Sequence, residues 1–495
     1  MVVMNMKPKI ILVPYPAQGH VTPMFHLALA FLRRHDDFEP VIVTPEHIHR
    51  NIHSLYDQNN GGISFVPIPD GLDAGEPRNF FSINFAMENN MPGHLERIIL
   101  SFGGGGGVAC VVVDVLASWA VDVARRLGVQ VAGFWPAMRA TFNLIAAIPE
   151  LVQQGLVTEF GTPRHEGSLV QSKKGQLQAI SIKTEELPWL IGNPTACKFR
   201  FSFWVRAMSR CSSLPYLLLN SFDPSEPTLL QQQQQQQMPT FTNTPQVLLL
   251  GPLTSLVGMT KNPSFWDEDT TCLSWLDKQQ PGSVIYVSFG SWVGPDIGDD
   301  RIRELALGLK ATKRPFLWVL NSGGSSSSST DHNKILNNAS NKVEDVVLGK
   351  VVSWAPQREV LRHEAIGCYL THCGWNSIME AIEECAKPLL CCPIAGDQFV
   401  NCRYVVKVWG VGERMEGMRR EEVERGVRRV MEGEGVEEMK RRMVELKERV
   451  LCLERVSKAK ASLADFANQI SINFNSITSN HLDKMVEASL AKCKF

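Results

Sequence analysis

The chain has no run of eighteen apolar residues free of a charge or a breaker, so the sequence offers no spanning helix. It has no excess of charge either, since 50 Lys and Arg stand against 51 Asp and Glu for a formal charge of -1. A balance that even gathers neither DNA, RNA nor an anionic membrane surface, and nucleic acid is not an expected partner. The twelve cysteines form no CxxC pair and no small secreted framework, although Cys391 and Cys392 are adjacent. Scattered thiols suit a reducing compartment, and a cytoplasmic protein is expected. The opening "MVVMNMKPKIILVPYPAQGH" has a short apolar run that soon meets prolines and no small-residue cleavage site, which reads as a first strand rather than a signal peptide. A dinucleotide fingerprint is missing too. The first turn, "PAQGHVTP", has one glycine where G-x-G-x-x-G needs three, which sets aside a nicotinamide-dependent dehydrogenase.

What is present is strand and helix in alternation. A chain of 495 residues exceeds what one core usually serves, so two domains are expected. Strand-like runs ("IILV", "PVIVTP", "ISFVPIP", "ACVVVD", "QVAGFW") alternate with amphipathic segments such as "PMFHLALAFLRRH". That is βα repetition and predicts a parallel sheet covered by helices. The rhythm breaks between about residues 221 and 265 and resumes at "SVIYVSFGS", "PFLWVL", "KVVSWAP", "GCYLTHC" and "KPLLCCPI". The expected division is residues 1–250, 251–460, and a helical segment 461–495 that packs back on the first domain. Three low-complexity insertions, Gly103 to Gly107, Gln231 to Gln237 and Ser325 to Ser329, cannot build a core and read as surface loops. Beyond Arg419 the chain reads as long charged helices.

The stretch "GCYLTHC" followed by "GWNSIMEAIEE" places a glycine turn and a helix start beyond a strand, where open parallel sheets bind ligands. Free N–H groups near Asn376 and Ser377 favour a phosphate, with the Ser377 hydroxyl and His372 as further donors. A plain alternative stands beside this, because Ser377 and Glu380 also spell the S-x-x-E capping box. Upstream, Trp354 and Gln357 of "SWAPQREVL" could stack on a base and read its edge. Downstream, Asp397 and Gln398 of "CCPIAGDQ" are a carboxylate and an amide of the kind that fork onto sugar hydroxyls.

The 45 positions from Trp354 to Gln398, "WAPQREVLRHEAIGCYLTHCGWNSIMEAIEECAKPLLCCPIAGDQ", resemble the signature of the plant family 1 UDP-glycosyltransferases. The similarity runs from about Lys9 to residue 470 and includes "PYPAQGHVTPM", "LNSF" and "LGPL". It implies an α/β fold of GT-B type, two Rossmann-like domains whose parallel sheets face across a cleft. By this resemblance Trp354 stacks on uracil and Gln357 binds it, and Ala355 and Gly374 belong to the UDP-sugar site. Glu380 holds the ribose, while Ser291, His372, Asn376 and Ser377 hold the diphosphate. Trp375, Asp397 and Gln398 contact the sugar, and a final glutamine goes with glucose. Three departures stand out: the signature is one residue longer than usual, within "EECAKP"; residues 321–349 lack an LPxGF-like stretch; and Pro136 replaces a hydroxyl residue of some relatives.

In the first domain, His20 lies just ahead of an expected helix capped by Thr22 with Pro23 at its first position. Asp114 ends "ACVVVD" at the same edge of the sheet, where it could bind one ring nitrogen and leave the other to accept a proton. A loop histidine and a capping aspartate are the plain readings; the family resemblance assigns both to a catalytic dyad. The implied reaction is an inverting transfer of glucose from UDP-glucose to a hydroxyl of a small lipophilic acceptor, phenolic, flavonoid, terpenoid or hormone-like. The acceptor wall is expected among Phe81, Met87, Trp119, Phe134, Trp135 and Phe142, with core packing as the competing role. Asp122 points elsewhere. Neither the D-x-D form at Asp267 to Asp269 nor His363, Cys368, His372 and Cys373 has convincing ligand spacing, so no metal is assigned and no cofactor beyond the donor is expected. The chain is expected to act as a monomer. The alternatives are a binding protein on the same fold without turnover, and a C-glycosyltransferase.

Overall fold

The computed structural model describes residues 7–35, 37–56, 62–73, 75–165, 167, 169–170, 182–222, 245–258, 264–291, 298–320 and 348–492. The glutamine run 231–237, the serine run 325–329 and residues 321–347 of the loop lacking LPxGF lie outside them. The strands in chain order are β1 (Lys9–Val13), β2 (Glu39–Pro45), β3 (Ser64–Ile68), β4 (Val108–Asp114), β5 (Val131–Trp135), β6 (Leu169–Val170), β7 (Ile182–Lys183), β8 (Tyr216–Leu219) and β9 (Gln246–Leu249). They continue with β10 (Val284–Ser288), β11 (Phe316–Val319), β12 (Gly349–Val352), β13 (Ile366–Thr371), β14 (Leu389–Cys391) and β15 (Gly412–Arg414). One sheet has the order β3-β2-β1-β4-β5-β8-β9 and another β12-β11-β10-β13-β14-β15, while β6 and β7 form a small antiparallel pair.

Both large sheets are parallel throughout, and the sequences of their central strands show why. Every residue of β4, VACVVVD, is buried, as in a strand covered on both faces. Each such valine contributes about 2 kcal/mol by leaving water. In each sheet the chain starts near the middle and winds outward in one direction, then returns to build the other half. The reversal falls between β1 and β4 in one sheet and between β10 and β13 in the other. At such a switch point the adjoining connections diverge and leave a crevice beyond the strands' carboxyl ends.

Contacts divide the chain into two compact units, Met1–Pro136 with Val205–Met259 and Leu453–Phe495, and Ala137–Trp204 with Thr260–Cys452. The expected boundaries at 250 and 460 therefore give way to a division in which residues 137–204 group with the second sheet. The last helix, Leu453–Lys492, groups with the first unit. Its Phe466 lies 6.0 Å from the Phe31 ring and 5.1 Å from that of Tyr216. The core of the second unit includes Ile285, Val287, Leu370 and Leu390. The glycine run 103–107 forms a single 3-10 turn, Gly104–Gly106, ahead of β4.

The added residue in "EECAKP" is accommodated before β14. The helix ends at Glu384, and Leu389, Leu390 and Cys391 pair with Tyr369, Leu370 and Thr371. Leu390 keeps its place in the core, so the strand presents an unbroken in-and-out pattern.

Candidate functional site

In the first unit, Asp114 ends β4 and His20 lies in the helix that follows β1, the two strands that flank the switch point. The helix Gln18–Arg34 begins earlier than expected: its N-cap is Ala17, extended at φ -141 and ψ 147, whose carbonyl accepts from His20 N and Val21 N at 2.9 Å each. Thr22 and Pro23 are thus buried inside the helix instead of capping it, and His20 sits in its first turn. Pro23 removes only the helical bond that Gly19 would have accepted, a modest loss so near the end.

His20 Nδ1 lies 2.7 Å from Asp114 Oδ2. The carboxylate can only accept, so Nδ1 carries the proton, and in the neutral ring Nε2 keeps its lone pair. Asp114 is fully buried, and its second oxygen accepts from Leu116 N at 2.9 Å. Both oxygens are therefore held, which fixes the ring, while His20 remains partly exposed. Tyr15 packs on the imidazole at 5.1 Å between centroids. Asp122 is spent on Arg210, 2.7 Å away.

Of the acceptor candidates, Met87, Trp119, Phe134 and Trp135 are buried in the first unit. Phe134 pairs with Asp114 across β5 and β4. Phe81 is 40% exposed, and Phe142 belongs to the second unit. The six do not form one wall within a single unit.

In the second unit the switch point gathers the connections after β10 and β13. The helix Trp375–Glu384 has Gly374 as its N-cap, which supplies no side-chain acceptor. Ser377 and Glu380 therefore lie inside the helix, and the capping-box reading fails. Their side chains meet Gln357 instead: Gln357 Nε2 donates to Ser377 Oγ at 3.2 Å and to Glu380 Oε2 at 2.7 Å. Gln357 Oε1 accepts from the Tyr286 and Tyr369 hydroxyls at 3.0 and 3.3 Å. The two phenol rings stack 4.9 Å apart, and burial pushes both hydroxyls up, so they stay donors. The two tyrosines were not foreseen; their register on the adjacent strands β10 and β13 brings them together. Gln357 is thereby turned toward Glu380, as part of a group of oxygens and an amide suited to hydroxyls more than to a base edge.

His372 is buried, its ring held between two glycines. A Cβ on Gly374 would stand 2.3 Å from His372 Nε2 and one on Gly290 2.8 Å away. Gly290 also has φ +72, which only glycine adopts without strain. Burial pushes the imidazole down to about 4, opposed in part by a backbone hydrogen bond with Ser288. The ring is neutral at physiological pH. Ser291 follows at the end of the described β10 connection, partly exposed.

Because the folded ring takes a proton less readily than the ordinary value of 6.5, the unfolded state binds more protons between the two values. This contribution to stability is complete above pH 6.5 and is lost as pH falls toward 4, to a total of about 3 kcal/mol. Urea unfolding across that window is expected to show the loss in the native protein and not in His372→Gln.

Trp354 is partly buried and stacks on Trp266 at 4.6 Å and 36°. Trp266 was missed because nothing in the sequence links "SFWDEDT" to "SWAPQ". The two segments are joined again by Asp269 N donating to Trp354 O at 3.0 Å. Asp269 Oδ1 accepts from Thr271 N at 2.9 Å and from its hydroxyl at 2.5 Å, which commits that carboxylate to the start of the Thr271–Leu276 helix. Ala355 and Trp375 are buried, and Asn376 is partly so. Asp397 opens the helix Gln398–Arg403 and accepts from Asn401 Nδ2 at 2.9 Å. Gln398 Oε1 accepts from Ile394 N and Ala395 N at 2.8 and 3.0 Å, which orders the preceding loop and leaves its amide N–H2 to donate. His363 pairs with Asp277 at 3.2 Å, and Cys368 is core.

The sequence model for the family "UDP-glucoronosyl and UDP-glucosyl transferase" matches residues 218–449. UDP-glycosyltransferase 82A1 of Arabidopsis thaliana is 49% identical over 451 residues, 88% of this chain and 94% of that protein. Linamarin synthase 1 of Manihot esculenta is 31% identical over 88% of this chain and 91% of its own length. Among solved structures, Os79 from O. sativa in complex with UDP has a TM-score of 0.72 at 25% identity and covers 93% of this chain and 100% of its own. A UDP-glucosyltransferase from Polygonum tinctorium capable of glucosylating indoxyl, in complex with 3,4-dichloroaniline, shares the fold at a TM-score of 0.73 and 23% identity, over 95% and 100% of the two chains. Among the described residues no helix is long and apolar enough to cross a membrane. Two parallel α/β sheets with equipped switch points, together with relatives of this extent, place the chain in the plant family 1 UDP-glycosyltransferases, enzymes of GT-B type.

Proposed function

We propose that the protein transfers glucose from UDP-glucose to a hydroxyl of a small lipophilic acceptor, with inversion at the anomeric carbon. The observation that carries the proposal is the 2.7 Å contact of His20 Nδ1 with a wholly buried Asp114, which leaves Nε2 as a partly exposed base. His20 takes the acceptor proton as the oxygen attacks, the bond from the anomeric carbon to UDP breaks, and Asp114 steadies the imidazolium. Trp354, backed by Trp266, takes the uracil face, with Ala355 beside it. Gln357 and Glu380 take the ribose hydroxyls. The diphosphate lies at the Gly374 end of the helix with His372, Asn376, Ser377 and Ser291, where fixed dipoles meet the charge that develops on the leaving group. Trp375, Asp397 and Gln398 read the sugar.

The donor is the only co-substrate in this reading, and the dipoles supply what a metal supplies in other transferases. The acceptor is apolar, whereas Trp119, Phe134 and Trp135, at most 3% exposed, pack the core of the unit that carries the base. Reduced cysteines favour the cytoplasm. Incubation with UDP-glucose and a panel of phenolic, flavonoid and terpenoid alcohols is expected to yield O-β-glucosides, identified by mass and anomeric coupling. Products with a C–C linkage, or UDP-glucose bound and never consumed, would overturn the proposal.

A further inference from the structure

Three thiols from three elements of the second unit converge at the turn that follows His372. Cys373 is in the connection after β13, Cys391 ends β14, and Cys402 lies in the helix Gln398–Arg403. All are free and buried, with exposures of 0, 0 and 2%, and their sulfurs lie within 4.8 Å of one another. Cys373 holds a left-handed φ of 67, unusual for a residue with a side chain. Buried cysteine often serves only as a small apolar side chain. Here each sulfur is within reach of the other two, and three thiolates around a zinc-like ion at about 2.3 Å would stand about 4 Å apart.

We propose that Cys373, Cys391 and Cys402 form a site for a thiophilic d10 cation of the zinc, cadmium or copper(I) class, and that its occupation weakens binding of the UDP-sugar. The site is inhibitory and takes no part in transfer. Soft sulfur ligands select such ions over magnesium or calcium. As each S–metal bond forms, a thiol proton passes to water, and no electron is transferred.

The coupling follows from the backbone. Asn401 Nδ2 donates to Cys373 O and to Asp397 Oδ2, both at 2.9 Å, so the turn and the helix bearing Asp397 are already tied. Contraction of the sulfurs onto an ion moves Cys373, whose neighbours are His372 and Gly374. That turn has no slack, since even one added methyl on Gly374 would meet the imidazole at 2.3 Å. The effect on UDP rests on the donor site proposed above, whereas the ion site itself does not.

The test titrates the reduced full-length protein with Cd2+ and follows thiolate-to-metal charge-transfer absorption, the 113Cd resonance, and UDP affinity by calorimetry. One bound ion per chain, a resonance in the thiolate-rich range and at least a tenfold weaker UDP affinity are expected, with Mg2+ inert. Cys402→Ala and Cys391→Ala should each lose the band and bind UDP alike with and without Cd2+. Cys452→Ser, exposed and outside the cluster, should behave as the native protein. The 113Cd measurement needs no variant, so a misfolded substitution cannot decide the question. Absence of the band, or a band that survives both alanine substitutions, overturns the site; a band with unchanged UDP affinity overturns the coupling. Failure to bind UDP without any cadmium would instead overturn the donor reading, leaving the band to judge the ion site.

Discussion

His20→Ala is expected to lower the turnover rate roughly 1,000-fold while the affinity for UDP stays within about twofold. The imidazole is the only group in this scheme that accepts the acceptor's proton, and it belongs to the unit that does not carry Gln357, His372 or Glu380. Asp114→Asn should cost nearly as much. An amide in that buried position can donate to Nδ1, which would place the ring proton on Nε2, the atom that must be bare. Initial rates at saturating UDP-glucose, paired with calorimetric UDP binding, check both variants. Loss of rate and of UDP affinity in equal measure from His20→Ala would contradict the assignment of the base.

The second large effect concerns stability. Arg358 Nη2 lies 2.8 Å from Glu383 Oε2 and also bonds to Glu384, and all three side chains are nearly wholly buried. Arg362 reaches Glu384 from the surface at 2.7 Å. These pairs clamp the helix Gln357–Arg362 to the C-terminal end of the helix Trp375–Glu384, while Gln357 meets Glu380 one turn earlier. Arg358→Met would leave Glu383 without its guanidinium partner in a buried place, at a cost of about 3 kcal/mol. The expected readouts are an unfolding free energy in urea lowered by that amount and a severalfold higher KM for UDP-glucose, because the two helices are no longer held in register. Unchanged unfolding would mean that the carboxylates find other partners at no cost.

The fold was legible wherever burial wrote itself as apolar runs. All ten strands named from the sequence are present in the two sheets. β8, β9 and β15 were not named, since three or four residues such as Gly412–Arg414 carry too little pattern to separate from a loop. Helix starts were the weaker part. Thr22 with Pro23 and Ser377 with Glu380 both look like caps by residue type, yet in each case the extended residue that caps the helix, Ala17 or Gly374, comes earlier and has no side-chain donor or acceptor to announce it. Displacing Ser377 and Glu380 into the helix is what frees them for Gln357.

The candidate site was legible where the family signature spelled it and illegible where distant residues complete it. Tyr286 is 71 positions from Gln357, and Trp266 is 88 positions from Trp354. The cysteine cluster shows the same limit in another form. Cys373, Cys391 and Cys402 lack any metal-binding spacing in sequence; the sheet supplies the proximity that the spacing does not.

The interleaving of the two units along the chain sets a rule for anyone recombining this enzyme with a relative. A splice at residue 250 would carry away Phe466, which covers Phe31 and Tyr216, and would assign residues 137–204 to the wrong parent. A hybrid meant to keep one parent's acceptor preference and the other's nucleotide grip must change parent at each of the four crossings, near 136, 204, 259 and 452, so that the last forty residues travel with the first hundred.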